Sequence, residues 1–256
     1  MTVLRTCKCG PVDWWLAATT HSARRIGDTT KTISYNLRKN HASSELAGLV
    51  EKYDPDVLCL QEADTALLPS TIGHLQLADS TKDNRLGLAL YYRLERFTGH
   101  ETRTFVLKKG MHDRIAAPAH ERLIATRMFD KVRDREIVIA SFHAAPLTAL
   151  NSLRRNQIKA SHEALKELGE GLPALMVGDY NYPLFQAGLR RKVALNGYDL
   201  SLSDKRTYTR YKVFRGHFDF ATSYGMTIES VETLPQGISD HLPILVTASL
   251  KELAEV

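Results

Sequence analysis

Seven polar side chains share one placement in this chain. Asn36 follows the alternating run Thr32-Ile33-Ser34-Tyr35, Glu62 follows the apolar run ending in Leu60-Gln61, and His143 follows Ile137-Val138-Ile139-Ala140-Ser141-Phe142. Asp179 and Asn181 stand at the end of Ala174-Leu175-Met176-Val177-Gly178, and Asp240 and His241 precede the apolar run 244–250. Strand ends aim side chains from a rigid scaffold toward one rim. Carboxylates, amides and imidazoles gathered there suit metal-assisted chemistry on a phosphate. A hard cation such as Mg2+ takes oxygen ligands, often one or two carboxylates, with water and phosphate oxygens for the rest. Taken singly, each residue also has a structural use: Asn36 as a strand-end cap, His143 as a surface histidine, Asp240 as a turn or N-cap residue. The ordered set is what points to a site.

The elements that position these residues can be read from periodicity. Strands are expected at 32–35, 56–61, 86–92, 101–107, 122–128, 136–142, 174–177, 218–223, 227–233 and 244–250, most of them rich in β-branched residues. Helices are expected at 43–53, with Ser43 or Ser44 as N-cap, at 151–168 and at 184–195. In the second helix, Leu153, Ile158, Leu165 and Leu168 have the spacing of an inward face. Strands outnumber helices, and no repeat or linker divides the chain. Residues 1–29 show no clear period and read as an N-terminal extension of unclear role, ahead of one domain over 30–251.

Composition sets the outer bounds. Among 256 residues, 43% are hydrophobic and 25% charged, ordinary values for a globular protein with a sizeable core. No apolar run approaches a membrane span, and the start MTVLRTCKCG lacks the apolar centre of a secretory signal. The expected compartment is the cytoplasm. Three cysteines, an odd and sparse count, argue against a disulfide framework. Cys59 lies in an apolar run, and Cys7 and Cys9 alone are too few for a zinc site, which takes about four ligands.

Six motifs, in order, carry a resemblance: Tyr35-Asn36-Leu37-Arg38, Leu60-Gln61-Glu62, Ser141-Phe142-His143, Gly178-Asp179-Tyr180-Asn181, His217-Phe218-Asp219-Phe220 and Ser239-Asp240-His241. The chain resembles the endonuclease/exonuclease/phosphatase superfamily over about residues 31–250. The resemblance implies an α+β fold, a four-layer αββα sandwich of two packed, mainly antiparallel sheets flanked by helices, of the deoxyribonuclease I-like kind. It implies Mg2+ or Mn2+ as cofactor, with Glu62 as principal ligand and Asn36 and Asp240 near the metal. Asp179 would orient or deprotonate the attacking water, and Asn181 would hold a phosphate oxygen or that water. His241 would contact the phosphate, with Asp219 fixing its tautomer, and His143 would donate a hydrogen bond or proton. Arg122 resembles a family arginine near the phosphate. Arg38 stands where abasic-site endonucleases carry an acid, which leans toward the deoxyribonuclease and sphingomyelinase branches. The carboxylate that pairs the His143 equivalent in deoxyribonuclease I has no counterpart in residues 85–93.

The resemblance implies hydrolysis of phosphate esters by activated water but leaves the ester open. The net charge is +5, yet residues 189–216 hold eight Lys or Arg against Asp199 and Asp204. Within this basic segment Lys205, Arg206 and Arg210 alternate with tyrosines and lie close before Asp219. Cations interleaved with aromatics suit a nucleic-acid backbone, and the same stretch also reads as a solvated hairpin. A nuclease acting on DNA or RNA is therefore the first expectation, with nucleic acid as partner. A small-molecule or lipid-headgroup phosphoesterase is the alternative, and a catalytically dead binding module is the third.

Overall fold

The structure, a computed structural model, describes residues 27–82, 84, 86–108, 120–209 and 216–251. Thirteen strands form two sheets among the described residues. The first holds seven strands in the order β12 (Met226–Thr233), β13 (Ile244–Leu250), β1 (Thr30–Asn36), β2 (Val57–Ala63), β5 (Gly87–Arg93), β4 (Leu75–Ser80) and β3 (Thr71–Ile72). The second holds six: β10 (Asp199–Leu202), β11 (Asp219–Tyr224), β9 (Ala174–Asp179), β8 (Arg135–His143), β7 (Glu121–Asp130) and β6 (Phe97–Val106). Two neighbouring pairs are parallel, β1 with β2 and β8 with β9, and the other pairs are antiparallel.

Parallel neighbours need a crossover, and each pair has a helix in it. Helix α1 (Leu46–Tyr53) joins β1 to β2, and α2 (Asn151–Leu168) joins β8 to β9. The third helix, α3 (Gln186–Leu195), follows β9. Strand alternation then sorts the core into three layers. Val57, Cys59, Ile137, Ile139, Leu175 and Val177 point between the sheets. Leu58 and Leu60 point outward against Leu46 and Val50 of α1. Val138 and Ala140 point outward against α2 and α3, which contribute Ile158, Leu165, Leu189 and Val193. The result is α1, sheet, sheet, then α2 with α3, the four-layer α+β sandwich expected.

Three details differ from the expectation. Residues 43–45 form a single 3-10 turn, with no side-chain cap from Ser43 or Ser44, and the α-helix begins at Leu46. The inner face of α2 carries Arg154, Gln157, Ser161 and His162 beside Ile158, Leu165 and Leu168, whereas Leu153 is only half-buried. The polar part has work near the site: Gln157 Oε1 accepts from the N–H of Ala145, and Arg154 donates to the carbonyl of Pro146, both just past β8. The short strands β3, β4 and β10 were not anticipated. Among the described residues, no helix is long and apolar enough to cross a membrane. Cys7, Cys9 and most of the expected N-terminal extension lie outside the described residues.

The β8–β9 pairing depends on one glycine. A Cβ at Gly178 would lie 1.9 Å from the carbonyl oxygen of Phe142, and the residue has φ +149°. Both the contact and the conformation exclude a side chain. Gly178→Ala is expected to destabilise the fold by more than about 3 kcal/mol, the range of severe overpacking and backbone strain. Chemical denaturation checks it, and a loss under about 1 kcal/mol would show that the strands can separate to admit a methyl group.

Candidate active site

Register places the functional groups in a row. Along the second sheet, His143 at the end of β8 pairs with Asp179 at the end of β9. Asp179 pairs in turn with Asp219 at the start of β11. From the first sheet, Asn36 closes β1 beside Gln61 of β2. Glu62 follows at a break in register between β2 and β5, with φ +53°. That bulge turns its side chain out of the strand's ordinary alternation. The carboxyl ends of the two parallel pairs therefore meet on one face of the sandwich.

One oxygen is the focus of the site. Asp179 Oδ2 accepts from Asn36 Nδ2 at 3.1 Å and from Asn181 Nδ2 at 3.1 Å. His143 Nε2 lies 3.6 Å from the same oxygen and His241 Nε2 3.8 Å from it. These last two separations exceed a direct hydrogen bond and suit nitrogens that share a substrate oxygen with the carboxylate. The N–H of Asn181 donates to Asp179 Oδ1 at 2.9 Å, which fixes the carboxylate plane. Asn181 reaches this pose with φ +48°.

The two histidines differ in charge because their neighbours differ. Burial works against a charged His241, but Asp219 and Asp179 outweigh it. With Asp219 Oδ2 2.8 Å from Nδ1, they push the imidazole up to about 10. His143 goes the other way. Burial lowers it to about 4, Glu62 opposes that, and the cations of Arg122 and His241 add to the lowering. At neutral pH His241 is a cation and His143 a neutral hydrogen-bond donor. Asp179 is pushed up to about 7, first by burial and then by Asp219 and Glu62 acting against His241 and the N–H of Asn181. A carboxylate poised there is suited to take a proton from water.

Glu62 stays ionised. Burial disfavours its charge, but His143, the N–H of Lys39, His241 and the Asn36 amide together hold it below its usual value. Its Oε2 accepts from the N–H of Lys39 at 2.9 Å, while Oε1 faces His143 Nε2 at 4.0 Å. An ionised carboxylate with one oxygen turned to the site fits a hard divalent cation. Ligand atoms of Asp179, Asp219 and His241 also lie within 4.8 Å of one another. In that group His241 Nδ1 is engaged by Asp219 Oδ2 at 2.8 Å, and its Nε2 faces Asp179 Oδ2 at 3.8 Å.

The remaining expected residues sit around this centre. Asp240 Oδ2 is 3.7 Å from Arg38 Nε, at the rim. Arg122 is buried, and its Nη1 donates to the carbonyls of His143 and Ala144, so it holds the end of β8. Lys205 and Arg206 are exposed, and the charge of Arg206, after burial, lowers His217 two residues before Asp219. Arg210 lies outside the described residues.

The profile of the Endonuclease/Exonuclease/phosphatase family matches residues 33–241. The chain belongs to this family. Protein angel of Drosophila melanogaster is 24% identical over 174 residues, which cover 61% of this chain and 46% of that protein. The chain thus spans under half the length of that relative. Among solved structures, the human Nocturnin catalytic domain with bound sulfate superimposes with a TM-score of 0.70 at 16% identity, covering 88% of this chain and 95% of that one. D. rerio TDP2 complexed with single strand DNA product gives 0.68 at 15% identity, covering 87% and 100%. The family is one of hydrolases acting on phosphoric ester bonds, which accords with the donor set at Asp179.

Several supporting residues of this family member escaped sequence reasoning. Gln61 and Ser141, both fully buried, join the two sheets directly under the site through Gln61 Nε2 and Ser141 Oγ at 2.9 Å. Thr207 Oγ1 accepts from the N–H groups of Phe218 and Asp219. Ser239 Oγ donates to the carbonyl of Asn36 and accepts from the N–H of His241. Gln61, Ser141 and Ser239 stand within recognised motifs, and a polar residue inside an apolar strand was the available signal for the first two.

The charge states give a pH profile. A carboxylate takes a proton only when it is itself deprotonated, so with Asp179 in the role of base kcat/KM should rise as pH passes upward through about 7. It should fall again above about 10, where His241 loses its proton. A rate profile over this range tests both limbs, and a flat profile from mildly acidic to neutral pH would remove Asp179 from the role of base.

Proposed function

We propose that this chain is a divalent-metal-dependent phosphodiesterase that hydrolyses its substrate by attack of an activated water, with nucleic acid as the substrate class. The observation that carries the reading is the convergence of Asn36, Asn181, His143 and His241 on one oxygen of Asp179. Asp179 takes the proton of the attacking water. The His241 cation and the N–H of His143 meet the negative charge that develops on the phosphate, which is usually the largest single contribution to such catalysis. Asn36 and Asn181 orient the base. Glu62, with Asn36 beside it, would hold Mg2+ or Mn2+, and the bound cation would neutralise phosphate charge and stabilise the leaving oxygen.

Support for nucleic acid comes from exposed Lys205 and Arg206 close before Thr207, whose neighbour Tyr208 packs edge-on against His241 at 4.9 Å. The D. rerio TDP2 complex holds single strand DNA on the same fold. A second reading, a small or lipid-borne phosphate ester, is favoured by a different observation. The loops leaving β8 and β9 expose Leu150, Leu184 and Phe185, which suit an apolar substrate group. Buried, unpaired Cys59 agrees with a cytoplasmic setting.

Activity on bis-p-nitrophenyl phosphate should require Mg2+ or Mn2+ and vanish on chelation; full turnover after exhaustive chelation would sink the metal-dependent mechanism. Asp179→Asn keeps the shape of the side chain but removes its charge. It should lower kcat by at least about a hundredfold, the lower range for loss of a positioned base, while melting temperature changes little. A stable Asp179→Asn protein with near-normal turnover would show that the centre lies elsewhere.

Substrate class is read separately. On single-stranded DNA or RNA, Lys205→Ala with Arg206→Ala should flatten the salt dependence of binding by about 0.7 log units per lost phosphate contact. Hydrolysis of the small diester should stay nearly unchanged. Equal loss on both substrates, or no nucleic-acid binding at low salt, would favour the small-ester reading.

A further inference from the structure

The loop between β12 and β13 carries Ser239, Asp240 and His241, and segments far away in the chain hold it on both flanks. Leu234 N–H to the Pro243 carbonyl closes its base. Thr207 and Thr209 hold one flank, through the N–H of Leu242 and the carbonyl of Asp240. The opposite flank is held by the connection between β1 and α1. There Glu45, in the 3-10 turn before α1, spreads its carboxylate over two donors. Oε1 accepts from the N–H of Ile238 at 2.7 Å and Oε2 from the hydroxyl of Tyr35 at 2.7 Å. Arg38 completes the grip, its Nη1 reaching the carbonyl of Ile238 at 3.5 Å. Ile238 is thus held on both of its backbone polar groups by residues about two hundred positions away in the chain.

Two further observations show that the contact is fitted rather than incidental. Tyr35 is itself buried, and the Glu45 carboxylate, after burial, raises its phenol, so the hydroxyl remains a donor. A Cβ at Gly237 would fall 2.1 and 2.4 Å from the two Glu45 oxygens, so the carboxylate fills the space a side chain would take. Ser239, next after Ile238, then bonds both to the Asn36 carbonyl and to the N–H of His241. A shift of Ile238 is therefore passed through one residue to His241.

We infer that Glu45 is a positioning residue of the active site, a clasp that sets the Ile238–His241 segment so that His241 faces Asp179. The inference rests on the functional reading above, because it gives Glu45 its effect through His241. Glu45 does not touch the reacting groups. Its loss should act on turnover far more than on substrate binding, since a displacement of about 1 Å in a catalytic group costs up to a hundredfold in rate.

The test uses the full chain, bis-p-nitrophenyl phosphate and Mg2+. Glu45→Ala should lower kcat by about tenfold or more, with KM within about twofold and a melting temperature close to that of the parent. Glu45→Gln can still accept from Ile238 through Oε1 and offer Nε2 to the Tyr35 oxygen, and it should recover most of the rate. In a His241→Ala background, Glu45→Ala should cost little more, because both act on one group. Should Glu45→Ala fail to fold, Gly237→Ala carries the same comparison, since its methyl displaces the carboxylate. Parental kcat in a folded Glu45→Ala protein, a Glu45→Gln protein as slow as Glu45→Ala, or a full further loss on top of His241→Ala would each overturn the clasp. Failure of the functional reading is seen separately and first, as a parent chain inactive on the diester or a His241→Ala protein with full turnover.

Discussion

A carboxylate buried as deeply as that of Asp179 has to be compensated by its surroundings. Stripped of partners, a buried charge costs several kcal/mol, and here the side chain is only 2% exposed. The compensation comes from both sheets at once: Asn36 from β1, Asn181 and His143 from the region of β9 and β8, and His241 from the β12–β13 loop. None of these groups is near Asp179 unless the two sheets are stacked in one register. The catalytic centre and the relative placement of the sheets are thus one constraint. A slip that relieved the core packing would leave Asp179 unpaired.

Buried polar bridges hold that register at both ends of the sandwich. Near the site, Gln61 donates to Ser141 and Ser34 shares its amide. At the opposite end, fully buried Arg96 spans from Asp130 of β7 to Asp56 and the Thr30 hydroxyl at the start of β1. Apolar packing alone tolerates sliding because it is non-directional, whereas hydrogen bonds of this kind do not. Backbone strain is concentrated where the bridges end. Of the eight non-glycine residues with positive φ among the described residues, Arg38, Lys39, Asn40, Glu62, Asn181 and Phe185 lie in the segments that form or flank the site. Each such residue costs on the order of 1–3 kcal/mol and persists only because its surroundings over-determine it. The left-handed run of residues 38–40 shows how: its successive N–H groups go to Asn36 Oδ1, Glu62 Oε2 and the Glu62 carbonyl.

The sequence was most legible where an apolar strand ends in a polar residue. Asn36, Glu62, His143 and Asp179 could be singled out in this way, because fully buried strands read as continuous apolar runs and their ends are abrupt. Short or irregular strands were harder. In β4 a register shift between Leu77 and Asp79 breaks the alternation, and β10 has four residues within a stretch dominated by charge. The basic segment shows a different limit. Counting charge and interleaved tyrosines drew attention to Lys205, Arg206 and Tyr208, but not to the packing of Tyr208 against His241, and fully buried Thr207, which holds Asp219, gave no signal. Glu45 and Ser239 were equally silent as to role. Their partners stand 193 and 203 positions away, and a local pattern carries no information at that range.

The least predictable property of the site is the division between its histidines. Both stand beside strand ends, both lie within 3.8 Å of Asp179 Oδ2, and either could be called the acid from residue type alone. Their second neighbours decide the matter. His241 has Asp219 on its far nitrogen and gains a proton. For His143 burial prevails over the opposing Glu62, Arg122 and His241 add to the lowering, and the ring loses its proton. Environments that push similar groups apart are what assign acid and base roles, and here they leave Asp179 as the one group between them raised to a value near neutrality. In the proposed mechanism this carboxylate would work between a cation and a neutral donor, so proton traffic would be confined to one group while the charge offered to the phosphate stays in place.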